Sequence, residues 1–85
     1  MTNENIPPPT SWSPEVRVFG ERKFVGNALR FATETEAKAN VHNLAMRWTL
    51  VEETRVVPTD DPVTCRWIAM ESRLEMLPVA ERVPA

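Results

Sequence analysis

A helix start signal at Thr33 constrains this chain more than any other feature. Thr33 and Glu36 form an S/T-x-x-E capping box, in which each side chain is expected to satisfy a backbone N–H that the first helical turn leaves unpaired. Behind the box, apolar residues recur at helical spacing, at Ala37, Val41, Leu44, Ala45 and Trp48. The pattern predicts an amphipathic helix over residues 34–48, packed on its neighbours through Val41, Leu44 and Trp48.

Alternating apolar and polar residues on both sides of this helix predict β-strands. Strands are expected at residues 16–19, at residues 50–57, and at residues 23–32, either as one piece or as two pieces kinked at Gly26-Asn27. Residues 63–69 alternate most clearly, with Cys65 and Trp67 on one side. The sequence therefore predicts an α+β fold, a small antiparallel sheet of four or five strands with one amphipathic helix packed on one face.

Prolines are expected to interrupt this sheet. Residues 58–62 read Pro-Thr-Asp-Asp-Pro, a run that we expect no regular element to cross. After the strand at residues 63–69, we expect a turn at residues 70–72 and a short edge strand. A two-turn helix that uses the spacing of Met70, Leu74 and Leu77 is the alternative.

Length and composition predict one small domain. Residues 1–14 are expected to form a disordered Pro-rich arm, residues 15–78 a single α+β domain, and residues 79–85 a flexible tail. A domain of this size buries only about 60% of the surface that its unfolded chain exposes. We therefore expect a homodimer, in which the strand edge near Trp67 and Leu74 pairs with a second copy.

Charge and cysteine usage exclude several classes of protein. The chain has 10 Lys+Arg and 12 Asp+Glu without a basic block, so duplex nucleic acid is not an expected partner. No apolar run approaches the ~18 residues that span a bilayer, and the first residues lack the pattern of a secretory signal. Cys65 is the single cysteine, which suits a reducing compartment. We expect a cytoplasmic protein that does not bind membranes.

Catalytic signals are sparse. His42 is the one histidine, and with Cys65 it supplies too few ligands for a metal site and a weak case for a nucleophile–base pair. Two glycines cannot build a phosphate-binding loop. Asp60 and Asp61 lie between prolines, where aspartate commonly stabilises a turn. We expect no enzyme activity, no metal and no cofactor.

Arginines on the predicted strands suggest a binding surface. Arg30 and Arg66 are expected to point outward, and neighbouring strands would place them on one face of the sheet. Arg and Trp dominate protein-binding hot spots, so the candidate partner-binding residues are Arg30, Asp60, Asp61, Arg66 and Trp67. Two other interpretations stay open: pairing of the arginines with glutamates across strands, and binding of a nucleotide or single-stranded nucleic acid.

Three segments carry a resemblance to a known family. They are GNALRFATETEA at residues 26–37, RWTLV at 47–51 and TRVVPTDDPVTCRW at 54–67. In this order they resemble short uncharacterised proteins from bacteriophages and from prophage regions of proteobacteria. The resemblance implies a mobile-element origin and one-domain size, but no activity. Together with the lack of catalytic signals, it predicts a small non-enzymatic protein that binds a host or phage protein, and we hypothesise inhibition of a bacterial defence system. A structural dimer is an alternative.

Overall fold

One α-helix and five short strands form the part of the chain that the structure, a computed structural model, describes, residues 8–78. In chain order the elements are β1 (Ser11–Val18), β2 (Val25–Gly26), α1 (Glu34–Arg47), β3 (Val51–Thr59), β4 (Cys65–Ile68) and β5 (Arg73–Met76). A 3-10 turn at Ala69–Glu71 separates β4 from β5. The α+β class is confirmed, and so is the expected turn and short strand after β4.

The strands form two small antiparallel sheets that meet at Phe31. β1 lies between β2 and β3, and β4 pairs with β5. Phe31 exchanges two backbone hydrogen bonds with Trp12, at 2.8 and 2.9 Å, and bridges to Cys65 on its other side. In this arrangement β3 and β5 each have an outer edge that no described strand covers.

Hydrogen bonds at the start of α1 confirm the predicted N-cap at Thr33, but the Glu36 side chain binds different partners from those of a standard capping box. The Thr33 hydroxyl accepts the Glu36 N–H at 3.1 Å, as expected for an N-cap. The Glu36 carboxylate, however, accepts the Thr33 hydroxyl at 3.1 Å and the backbone N–H of Trp67 at 3.0 Å. Bonds to the Thr33 hydroxyl and to β4 therefore replace the return bond that a capping box makes to the N-cap backbone.

The core lies between α1 and the sheet. Its buried apolar residues are Val16, Phe31, Ala37, Val41 and Cys65. Trp12, Leu29, Val56 and Trp67 pack against the part of this core formed by Phe31, Ala37 and Cys65. The prediction that Trp48 packs in the core is wrong. The helix ends at Arg47, and Trp48 takes an extended backbone with φ −118° and ψ 98°, which turns its side chain off the helical stripe.

Two prolines lie inside strands, which corrects two predicted boundaries. β1 begins at Ser11 and contains Pro14, so the predicted arm over residues 1–14 overlaps the fold, and β3 continues through Pro58. Trp12 directs its N–H toward Phe31, on the side of β1 that faces away from β3. Pro14 lies two residues further along β1, so its nitrogen points to the same side. Pro58 lies opposite Trp12 and faces the outer edge of β3. Neither nitrogen is needed in the β1–β3 ladder, so both prolines are tolerated. Residues 1–7 and the predicted tail at 79–85 lie outside the described residues.

Candidate functional site

The face of the sheet that points away from α1, called the outer face, is charged. Val16 is buried under the helix, so by alternation Glu15 and Arg17 turn to the outer face. Directly paired residues of antiparallel strands point to the same face, and here Glu15 lies opposite Arg55 while Arg17 lies opposite Glu53. Charges of opposite sign therefore meet across the β1–β3 ladder.

These opposed residues form ion pairs. Arg17 binds Glu53 at 2.6 Å and Glu52 at 2.9 Å. The hydrogen bond to Glu53, aided by the charge of Glu52, raises the pKa of the Arg17 guanidinium above its ordinary value. Arg55 in turn binds Glu15 at 2.7 Å. Cross-strand pairing with glutamate, one of the interpretations that the sequence left open, thus accounts for these two arginines.

The sequence predicts that Arg30 points outward, but its side chain does not extend freely into solvent. Its Nε lies 2.8 Å from an oxygen of Asp61, and only 21% of its side chain is exposed. The same guanidinium donates hydrogen bonds to the Ser13 hydroxyl at 3.1 Å and to the Asn27 and Leu29 carbonyls at 2.6 and 2.9 Å. Arg30 therefore ties β1, the loop before β4 and its own segment together.

The remaining predicted site residues separate in the structure. Arg66 lies on the outer face of β4 and binds Glu75 of β5 at 2.6 Å. Trp67, the next residue, turns to the opposite face and packs against the core. Asp60 is exposed beside Asp61. The structure brings Arg30 and Asp61 together, but it does not gather all five predicted residues on one surface.

Cys65 and His42, the two residues considered for a nucleophile–base pair, lie in different environments. Cys65 is fully buried, so its thiol is inaccessible to a substrate. His42 is exposed on α1. Within residues 8–78, no group of three or more His, Cys, Asp or Glu residues is placed to hold a metal ion.

An apolar surface that the sequence analysis missed lies where α1 ends and β3 begins. Its residues, called the end patch, are Phe19 (61% exposed), Met46 (71%), Trp48 (40%) and Leu50 (57%). The Phe19 N–H donates to the Leu50 carbonyl at 2.9 Å, and the Val51 N–H donates to the Trp48 carbonyl at 3.1 Å, which holds these segments side by side. The signal in the sequence was the density of large apolar residues at the end of the helix, where Met46, Trp48 and Leu50 occur within five residues.

Two clefts flank α1. One, of about 480 Å³, lies between α1 and β3 and is lined on the helix side by Lys38, Val41 and His42. The other, of about 520 Å³, lies on the β4–β5 side, with Leu44 and Trp67 in its wall. Both are within the size range of small-molecule sites, but that range alone does not identify a ligand.

Comparison with protein-family models, with curated proteins and with solved structures finds no match to this chain. Among the described residues, no helix combines the length and apolar character needed to cross a lipid bilayer.

Proposed function

We propose that this chain is a small non-enzymatic protein-binding accessory protein and that the end patch is its main contact surface. The observation that carries the proposal is the exposure of four large apolar side chains, Phe19, Met46, Trp48 and Leu50, at one end of the fold. Backbone hydrogen bonds join Phe19 to Leu50 and Trp48 to Val51, which brings three of these exposed residues close together, and exposed apolar surface is typical of protein contacts. Trp in particular is enriched among the residues that dominate binding energy.

The charges of the outer face favour a protein partner over a nucleic acid. Arg17, Arg30, Arg55 and Arg66 each bind a carboxylate of the same chain at 2.6 to 2.8 Å. A phosphate would have to displace those carboxylates, which weakens the case for single-stranded nucleic acid or a nucleotide. In a protein contact such ion pairs can form a polar rim around an apolar centre.

The resemblance to phage and prophage proteins supplies the biological setting of the proposal. It supports a protein that acts in the cytoplasm of a bacterial host, with a host or phage protein as its partner. Inhibition of a bacterial defence system is the specific role that we propose, since a chain without catalytic groups can inhibit by covering a partner's surface. Arg30, Asp60, Asp61, Arg66 and Trp67 stay predicted contacts that do not share one surface, and Arg66 represents those on the outer face.

Affinity capture with matched variants tests this proposal. The tagged full chain is immobilised and exposed to lysates of infected and uninfected bacteria, beside Phe19→Ser, Leu50→Asp and the control Met70→Asp. Met70 is 99% exposed on the turn before β5, outside the end patch, so its variant controls for a lost apolar surface elsewhere. We expect a stoichiometric protein on the wild type and on the control, and at least tenfold less on the two patch variants, equivalent to about 1.4 kcal/mol of binding free energy.

Capture with an Arg66→Ala variant distinguishes the end patch from the outer face as the contact surface. Loss of the captured protein with Arg66→Ala, but not with the patch variants, would move the contact to the outer face and contradict the end-patch assignment. Co-elution of nucleotide or nucleic acid in place of a protein would contradict the proposed function itself.

A further inference from the structure

The register of the β1–β3 ladder fixes which backbone groups point away from the sheet. Trp12 directs its N–H and C=O toward Phe31, so the residue paired with it, Pro58, makes no bonds to β1. By the same alternation Thr54 and Val56 direct their N–H and C=O groups outward. Among the described residues no strand covers this edge, so four backbone groups are placed to pair with another strand.

Charge selects one register for pairing β3 with a second β3. When two β3 strands pair in antiparallel fashion around a two-fold axis, the outward N–H and C=O groups of one copy must face the outward N–H and C=O groups of the other. If Thr54 meets Thr54 of the second copy, Arg55 lies opposite Glu53 and Glu53 lies opposite Arg55. Opposite charges in directly paired positions stabilise a sheet.

The neighbouring registers place like charges together. Pairing of Thr54 with Val56 of the second copy brings Arg55 against Arg55. Shifting the register by the same amount in the opposite direction places Glu53 opposite Glu53 of the second copy. Like charges directly opposite each other destabilise a sheet. The sequence of β3 is therefore complementary to itself in one register.

From this complementarity we propose that β3 pairs with β3 of a second copy, so that the two three-stranded sheets join across a two-fold axis at Thr54. This dimer goes beyond the proposed function and places the second copy at a different edge from the one expected at Trp67 and Leu74. Arg73 and Glu75 of β5 could pair in the same manner. However, β5 has 4 residues and begins after Ser72, whose φ of 48° ends the extended backbone, whereas β3 has 9 residues.

A charge-reversal experiment on the full chain tests the dimer. Sedimentation over a micromolar concentration series is expected to give twice the 9.7 kDa mass of one chain for the wild type. Glu53→Arg and Arg55→Glu should each dissociate at least tenfold more readily, because each variant then carries one sign of charge at both positions. An equimolar mixture of the two variants should form a heterodimer, since opposite signs meet again at both pairs.

The heterodimer distinguishes ion pairs between two copies from ion pairs within one copy. Glu53 also binds Arg17, and Arg55 also binds Glu15; each variant breaks one of these internal contacts, and mixing the variants does not restore it. Regained association therefore reports the contact between copies. Thr54→Lys alters neither ion pair and should also give a monomer. Circular dichroism checks that every variant is folded.

Three results would overturn the proposal. A wild type that stays at 9.7 kDa across the series excludes the dimer. A dimer that persists in both single variants and in Thr54→Lys excludes β3 as its interface, and its loss in the control Arg73→Glu would assign the interface to β5. A mixture of folded single variants that remains monomeric excludes the proposed register.

Discussion

Arg30 illustrates how one side chain can hold three segments that the sequence shows as separate. Its guanidinium contacts the Ser13 hydroxyl, the Asp61 carboxylate and the Asn27 carbonyl. The alternation of apolar and polar residues correctly placed Arg30 on the face opposite Phe31. It could not show that Ser13 and Asp61 would lie beside it, because their positions depend on the register between β1 and β3. Hydrogen bonds to a charged group that is mostly covered contribute more than an exposed ion pair.

Arg30→Ala should therefore lower the free energy of unfolding by about 2 kcal/mol, since it removes several charged hydrogen bonds and leaves two backbone carbonyls without this donor. Arg66→Ala is the matched control. Arg66 makes a single ion pair to Glu75 and has 51% of its side chain exposed, so its loss should cost under about 0.5 kcal/mol. Urea unfolding of both variants measures the difference. Equal midpoints for the two would mean that the contacts of Arg30 are not maintained in solution.

At the scale of elements, the first turn of α1 links the helix to the second sheet. Thr33 caps the helix, and the Glu36 carboxylate accepts the Trp67 N–H at 3.0 Å. Thr33→Ala should lower the free energy of unfolding by about 1 kcal/mol, because a helix N–H loses its acceptor. Thr33→Ser keeps the hydroxyl and should retain most of the stability. Thermal unfolding compares the two, and an unchanged midpoint for the alanine variant would contradict a stabilising cap.

Elements with a local signal could be predicted, and elements decided by tertiary pairing could not. The capping box located α1, and alternation located β4 around Cys65. Pro14 and Pro58 argued against strands, yet both are tolerated because their nitrogens face away from the β1–β3 ladder. Which side a proline nitrogen faces depends on the register, and the register depends on residues far away in the sequence. The predicted site was dispersed for a local reason instead: Arg66 and Trp67 are adjacent on β4, so alternation alone places them on opposite faces.

At the scale of the whole molecule, the outer face is charged and the end patch is apolar. The outer face is covered by ion pairs within the chain, such as those of Arg17 and Arg55 with glutamates. The end patch instead leaves Phe19 and Leu50 mostly exposed. A partner gains more from covering apolar surface than from competing with pairs that already exist. This contrast is the reason that we place the main contact at the end patch.

Hydroxyl-radical footprinting tests this claim most directly, because the indole of Trp48 and the thioether of Met46 are both readily oxidised when exposed. The purified protein is labelled alone and in complex with the protein recovered in the capture experiment, and Met70, 99% exposed, serves as the internal control. We expect oxidation of Met46 and Trp48 to fall severalfold in the complex while oxidation of Met70 stays the same. Unchanged oxidation of Met46 and Trp48 in a complex that is demonstrably formed would contradict the account.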